Sequence, residues 1–355
     1  MSWTGPGFVD NHCHLLRVAA GATAPYGDAT DREAVAAWHH RVLERWSTPM
    51  DEPERPDTAD DRLRGALERG LDRARSLGLV EITEAGMRDW AHHEALLGLR
   101  ARGPLPVRVR LLVASGAADL GRMERARTGD AWLEVVGVKF YADGWLGPRT
   151  CAVSQPFADE PDDAGVLFLD ADTLARRADP YAEAGWTVAT HAIGDRAIEA
   201  VLAAYEKVWG RDCAEAAPRI EHAQVLRPDL VRRMAELGVV ACVQPGFAVS
   251  DLDTARDGLG ARAEDAYRWD VLLDAGVRVI AGSDFPIEPL APLTGLERLV
   301  AGAGAAPTLP LERALAIMTD AAAGTVVLAE DPARVADDEL AAIEVEDTLP
   351  SDALA

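Results

Sequence analysis

Short apolar runs alternate with amphipathic stretches along most of this chain, and the alternation predicts its fold. Several amphipathic stretches have the apolar spacing of a helix and end in a glycine, as at Gly78 and Gly238, where helices commonly close in the left-handed conformation. The apolar runs are continuous, which is typical of strands buried on both faces of a parallel sheet. We predict eight strands: Gly7–His14, Leu79–Ala85, Val107–Ala114, Val135–Asp143, Thr187–Ile193, Arg219–Ala223, Val239–Gln244 and Val277–Asp284.

Eight strands with helices between most of them favour an α/β fold of the (β/α)8 TIM-barrel type. A doubly wound sheet is less consistent with the chain, because no GxGxxG turn follows a strand. We assign the barrel to residues 5–325 and an acidic, weakly patterned extension to residues 326–355. Three connections, 15–57, 145–170 and 245–268, are longer than a barrel needs and follow strands, where lids and binding loops are built.

Composition narrows the class of partner. The formal net charge of −23 over 355 residues argues against nucleic acid and against anionic membrane surfaces, and leaves a small-molecule substrate. Four scattered cysteines support neither a disulfide framework nor a cysteine-based zinc site. With no signal-peptide pattern and no apolar run of membrane-spanning length, we expect a cytoplasmic protein. The sequence leaves the oligomeric state open, including a homo-oligomer.

Lys139 is an unusual residue here, because Lys207 is the only other lysine among 36 basic residues. It stands in the apolar run Val135–Asp143, which predicts a buried strand. A desolvated ammonium group can lose its proton and react as an amine, whereas a guanidinium group stays charged. The neutral amine can take up CO2 to form a carbamate, whose two oxygens can bridge two metal ions. The alternative is a lysine that reaches solvent from the strand end or pairs with Asp143.

Residues with metal-binding side chains stand at the carboxyl ends of several predicted strands. His12 and His14 are two apart in the first strand and therefore face the same way. Nitrogen and oxygen donors of this kind suit zinc or a similar divalent ion. Singly, each candidate also fits a structural role, such as a hydrogen-bonded core histidine or a helix cap. Their coincidence at the ends of five strands favours a metal site made of His12, His14, Lys139, His191, His222 and Asp284.

These segments resemble the amidohydrolase superfamily, and within it the branch that contains N-substituted formamide deformylases. The resemblance spans about residues 5–325, and its most specific parts are Thr190–Ala197, Arg219–Gln224 and Gly282–Pro286. It implies a binuclear centre in which His12 and His14 bind the more buried ion with Asp284. His191 and His222 bind the more exposed ion, and carboxylated Lys139 bridges both. The family's flanking β-sandwich is expected to be missing or vestigial, because His12 lies so close to Met1.

Other residues at strand ends and in loops are weaker candidates. Glu84 and Gln244 are expected to support the ligands or to bind substrate, and Asp143 and Arg149 to orient substrate or to pair with each other. Asp195–Arg196 is predicted to be an ion pair at a helix start. Aromatic side chains in the long loops are read as pocket lining or lid packing, and two histidine pairs as surface residues: Trp38, Trp46, Trp145 and Phe247, with His39–His40 and His92–His93.

The function expected from this set is metal-dependent hydrolysis of an amide-type C–N bond, in an N-formyl, N-acyl or cyclic amide. A hydroxide bridging two divalent ions, which we expect to be zinc, attacks the carbonyl, and Asp284 passes the proton to the leaving nitrogen. The alternatives are a mononuclear deaminase, a lactone or phosphoester hydrolase on the same barrel, and a non-catalytic binding protein.

Overall fold

A computed structural model describes residues 2–16, 60–302 and 307–351 of the chain. All eight predicted strands are present and lie side by side in chain order, each parallel to the next. Their bounds differ from the predicted ones by a few residues, as expected where strands fray. The strands are β1 (Trp3–Cys13), β2 (Leu79–Met87), β3 (Arg108–Ala114), β4 (Leu133–Tyr141), β5 (Thr187–Ala192), β6 (Arg219–His222), β7 (Val240–Val243) and β8 (Arg278–Ala281).

Helices follow most of these strands and cover the sheet. Gly78 and Gly238, predicted to end helices, have φ values of 89° and 67° and lie one and two residues before β2 and β7. The helices of the described residues are α1 (Asp60–Ser76), α2 (Trp90–Arg100), α3 (Leu120–Ala126), α4 (Ala171–Glu183), α5 (Asp195–Trp209), α6 (Cys213–Ala216), α7 (Pro228–Leu237), α8 (Phe247–Ser250), α9 (Leu252–Leu259), α10 (Trp269–Asp274), α11 (Pro292–Glu297) and α12 (Leu311–Met318).

Two further strands, which the sequence did not predict, extend the sheet beyond β1. They are β9 (Thr319–Leu328) and β10 (Val345–Pro350), and each is antiparallel to its neighbour. β1 begins at Trp3, earlier than predicted, because Trp3–Pro6 pair with β9. The predicted boundary between residues 325 and 326 falls inside β9.

The long connections differ in character. Residues 245–268, predicted to be a loop, are largely helical and contain α8, α9 and a 3-10 helix at Gly260–Asp265. Residues 145–170 are mostly turns, joined to the end of β4 by a bridge between Asp143 and Leu167. Most of connection 15–57, including Trp38, His39, His40 and Trp46, lies outside the described residues.

The parallel order of β1 to β8 places all their carboxyl ends at one edge of the sheet, where the metal-binding side chains stand. Hydrogen bonds also join β8 and the segment after it to β1: Asn11 Nδ2 donates to Ala281 O at 3.0 Å, and His14 N donates to Phe285 O at 2.7 Å. The segment after β8 therefore lies against the end of β1. No helix in the described part of the chain is long and apolar enough to cross a membrane.

Candidate metal centre

Three side chains from the first and last parallel strands meet at this edge: His12 and His14 at the end of β1, and Asp284 just after β8. The Nε2 atoms of His12 and His14 lie 3.4 and 3.3 Å from Oδ1 of Asp284. In a tetrahedral site with metal–ligand bonds of about 2.0–2.1 Å, neighbouring ligand atoms are about 3.3–3.4 Å apart. One ligand atom of each residue lies within 4.8 Å of the others, so the three fit a single ion.

A carboxylate fixes the orientation of the His12 ring. Nδ1 of His12 lies 2.6 Å from Oε2 of Glu221, and both side chains are buried. Arg219 holds that carboxylate through bonds of 2.8 and 3.1 Å to its two oxygens. Burial alone would raise the pKa of Glu221, but the charges of Arg219 and His12 together outweigh burial and hold that pKa well below its usual range. Since both oxygens are paired, we read Glu221 as orienting His12 and leaving its Nε2 free to bind an ion.

The other imidazoles have orienting partners too. Nδ1 of His14 lies 3.2 Å from Oε1 of Glu84, and Nδ1 of His222 lies 2.8 Å from Oε1 of Gln244. These contacts leave Nε2 of each ring as the lone-pair nitrogen. His191 is reversed, because its Nε2 lies 2.8 Å from the carbonyl oxygen of Gly144, and so Nδ1 is its available donor.

The four rings form a continuous group. Ring centroids are 5.5 Å apart for His12 and His14, 4.8 Å for His12 and His222, and 4.5 Å for His191 and His222. Burial, followed by the charges of His191 and His12, holds the pKa of His222 well below its usual range. A neutral imidazole is the form that binds a metal ion.

Lys139 is buried, with 1% of its surface exposed. Burial lowers its pKa and outweighs the opposite pull of the carboxylates of Glu221 and Asp284. The prediction that Lys139 reaches solvent is therefore wrong. The prediction that it pairs with Asp143 is wrong as well, because Asp143 accepts hydrogen bonds from backbone nitrogens instead. The buried position favours the neutral amine that carbamate formation requires.

Asp284 occupies its position through backbone contacts with β1. Its φ of 56° is in the left-handed region, and its backbone nitrogen donates to His12 O at 2.6 Å. Asp10, buried beneath, accepts from the backbone nitrogens of His12 at 3.1 Å and Ser283 at 2.9 Å. One carboxylate thus links the strand that carries the histidines to the turn that carries Asp284.

Comparison with known proteins identifies the family. The family model described as "Amidohydrolase family" matches residues 37–331. The chain belongs to the amidohydrolase family. That match begins after β1, so the assignment of His12 and His14 depends on the geometry above.

Two curated relatives and one solved structure are similar to this amidohydrolase. YtcJ of Bacillus subtilis (strain 168), an amidohydrolase by name, is 34% identical over 248 residues, which are 67% of this chain and 46% of YtcJ. An N-substituted formamide deformylase of Arthrobacter pascens is 26% identical over 312 residues, 80% of this chain and 56% of that protein. The chain spans about half the length of these relatives. An uncharacterized metal-dependent hydrolase from Pyrococcus horikoshii OT3 shares the fold, with a TM-score of 0.73 and 21% identity over 95% of this chain and 88% of that chain.

Asp143 and Arg149, which the sequence suggested could pair with each other, have different partners in the structure. Asp143 is fully buried and accepts hydrogen bonds of 2.9–3.0 Å from three backbone nitrogens, of Ala152, Ile193 and Gly194. Arg149 instead pairs with Asp159, with Nε–Oδ1 and Nη2–Oδ2 distances of 3.0 and 2.6 Å. These contacts tie the connection 145–170 to itself and to β5. A substrate role for either residue stays a prediction.

Two smaller predictions are wrong. Asp195 was expected to pair with Arg196, but it pairs with Arg227 at 3.2 Å. It also accepts hydrogen bonds from the hydroxyl and the backbone nitrogen of Ser154. His93 is buried with its ring edge against Trp90, 5.6 Å between centroids, and is not a surface residue.

Sequence reasoning also missed three residues at the site: Asp10, Glu221 and Tyr141. Each lies within two positions of a predicted ligand and on the same strand or at its end, and that proximity was the available signal.

Proposed function

We propose that this amidohydrolase hydrolyses an amide-type C–N bond of a small molecule, using two divalent metal ions for which zinc is the expected species. The observation that carries the proposal is the set of His12, His14 and Asp284, whose donor atoms have the spacing of a tetrahedral zinc site. The orienting contact on each of the four imidazoles supports it, since ligand histidines regularly donate their second ring nitrogen to such a partner.

One ion would be bound by His12, His14 and Asp284. The other would be bound by His191 and His222, and Lys139 would bind both. When bound, two such ions lower the pKa of a water between them and polarise a substrate carbonyl. Asp284 stays ionised, since burial favours its protonated form but the charges of His12 and His14 outweigh burial and keep its pKa well below the usual range. Its carboxylate would accept the proton of the attacking water and deliver it to the leaving nitrogen.

Lys139 would bind as a carbamate. The lone pair of its neutral Nζ attacks the carbon of CO2, a C–N bond forms, and the proton lost from nitrogen goes to water. The buried amine with its lowered pKa supports this step. The product has the charge and the two oxygens that a bridging ligand needs.

We also propose that β1 to β8 close into a (β/α)8 barrel. The backbone bonds between the segment after β8 and the end of β1 support closure, among them Asp284 N to His12 O at 2.6 Å. The cytoplasmic location stays a prediction from the sequence.

The experiment is a metal-dependence test across substrate classes. Protein stripped with a chelator and protein reloaded with zinc are assayed on N-formyl compounds, cyclic amides, N-acyl amino acids and lactones, and metal content is counted by mass spectrometry. We expect two ions per chain and amide turnover only after reloading. A single ion with ammonia release would favour a deaminase, turnover confined to lactones would favour an ester hydrolase, and no metal uptake would contradict the proposal.

A further inference from the structure

Tyr141 lies beside two of the candidate ligands, Lys139 and His191, without belonging to the ligand group. It is the last residue of β4, two after Lys139, and is buried. Side chains two apart on a strand share a face. Phe140 between them packs on the opposite side, against Tyr181 of α4, with 6.2 Å between ring centroids. Lys139 and Tyr141 therefore face the candidate metal centre together.

Three contacts locate the phenol ring. Nζ of Lys139 lies 5.2 Å from its centroid, and the ring of His191, its register partner on β5, lies 6.1 Å away. On the remaining side its hydroxyl reaches Gly86 at the end of β2. A Cβ on Gly86 would lie 2.5 Å from that hydroxyl oxygen and 4.0 Å from Cε1 of His14.

The absence of a side chain at Gly86 therefore makes the space that the hydroxyl uses. The phenol extends from β4 past β3 to the end of β2, and the Cβ position of Gly86 that its oxygen approaches is 4.0 Å from Cε1 of His14. The ring therefore lies beside Lys139 and His191, and the space that receives its hydroxyl is bordered by His14.

We propose that Tyr141 is a catalytic residue whose hydroxyl donates a hydrogen bond to the oxygen of the reacting carbonyl as negative charge develops on it. The inference rests on the function proposed above. In a water-poor site a fixed donor of this kind stabilises the tetrahedral species more than the planar substrate.

The test compares Tyr141→Phe with wild type and with Tyr181→Phe. The control removes the same atom from a tyrosine whose hydroxyl donates to the carbonyl oxygen of Ala118 at 3.1 Å, away from the ligands. The probe is methylphosphonate, a tetrahedral anion, titrated by calorimetry into zinc-loaded protein. For Tyr141→Phe we expect about 10–100-fold weaker binding and unchanged zinc content. On any amide that wild type hydrolyses, we expect kcat to fall about 100–1,000-fold with little change in KM.

Equal methylphosphonate affinity and equal kcat in Tyr141→Phe overturn the inference, and so does loss of zinc in proportion to activity, which would make the hydroxyl a support for the metal centre. The proposed function fails separately. If wild type hydrolyses no amide but binds methylphosphonate more tightly than Tyr141→Phe does, the proposed function is wrong and the donor role stands. Wild type that neither binds methylphosphonate nor hydrolyses an amide contradicts both.

Discussion

Nδ1 of His12 lies 2.6 Å from Oε2 of Glu221, although the two residues are 209 positions apart in the chain. The same carboxylate pairs with Arg219, whose Nη2 also donates to Asn11 O at 2.7 Å. β6 therefore contacts β1 at two points: Glu221 at the imidazole of His12, and Arg219 at the backbone of Asn11. The consequence is a His12 ring that is oriented before any ion arrives.

We expect Glu221→Gln to weaken zinc binding about 10–100-fold, because a neutral amide cannot form the ion pair with Arg219 and orients His12 less firmly. Competition with a chromophoric chelator measures the affinity. The variant also leaves the largely buried guanidinium of Arg219 without its counter-charge, so stability should fall by about 3–5 kcal/mol.

Glu81→Gln separates the two effects. Glu81 pairs with Arg108 and Arg110 at 3.1 and 3.0 Å, near the start of β2 and far from the ligand edge. It should cost stability and leave zinc affinity unchanged. Equal zinc affinity in wild type and Glu221→Gln would show that Glu221 does not position His12.

Lys139→Arg and Lys139→Ala should both lower the zinc content from two ions to one and abolish turnover. Arginine keeps a positive charge and cannot form the carbamate, while alanine removes the amine. Mass spectrometry of native protein counts the ions, and the assay on a hydrolysed amide measures turnover.

Lys207→Arg is the matched control, because Lys207 is the other lysine of the chain and forms an exposed ion pair with Asp172. It should change neither ion count nor turnover. Retained activity in Lys139→Arg would argue decisively against a bridging carbamate.

Asp143→Asn should destabilise the protein by about 2–4 kcal/mol, because one carboxylate oxygen becomes an NH2 group facing backbone donors that then lose their acceptor. Denaturant unfolding measures the loss. Asp163→Asn, a change at an exposed aspartate that accepts one bond from Gly165 N at 2.8 Å, should cost little. An unchanged unfolding free energy with a raised KM would instead assign Asp143 to substrate binding.

The sequence predicted the parallel sheet and the meeting of His12, His14 and Asp284, because both follow from local patterns. Apolar runs between amphipathic stretches fix the order of the strands, and a parallel order brings their carboxyl ends to one edge. No side-chain contact has to be known for either conclusion.

Partner choice could not be predicted in the same way. Asp195 pairs with Arg227 rather than its neighbour Arg196, and Glu221 with His12 rather than a residue near it in sequence. These pairings depend on which side chains face each other across different elements. β10 was missed because its short, mostly exposed run lies in the acidic extension, and β9 because its first residues are small and exposed. Both strands depend on pairing, of β9 with β1 and of β10 with β9.

Asp251 should make stability depend on pH in a direction opposite to most carboxylates. Burial raises its pKa from the ordinary 3.8 to about 6, with the charge of Glu288 acting in the same sense, and Tyr267 Oη donates to its Oδ2 at 3.0 Å. Between these two values the folded chain holds a proton that the unfolded chain has lost. The contribution of Asp251 to stability is therefore greatest below about pH 4 and is lost as the pH rises through about 6.

Asp251→Asn keeps an acceptor for Tyr267 and removes the titration. We expect the variant to gain about 1–2 kcal/mol over wild type between pH 4 and pH 7, less than the full linkage value because water still reaches the side chain. Urea unfolding of both proteins across that range gives the difference, and subtraction removes the titration of the other groups they share. A difference that stays constant with pH would mean that Asp251 is ionised throughout in the folded protein, and that Tyr267 and Arg149 together compensate for its burial.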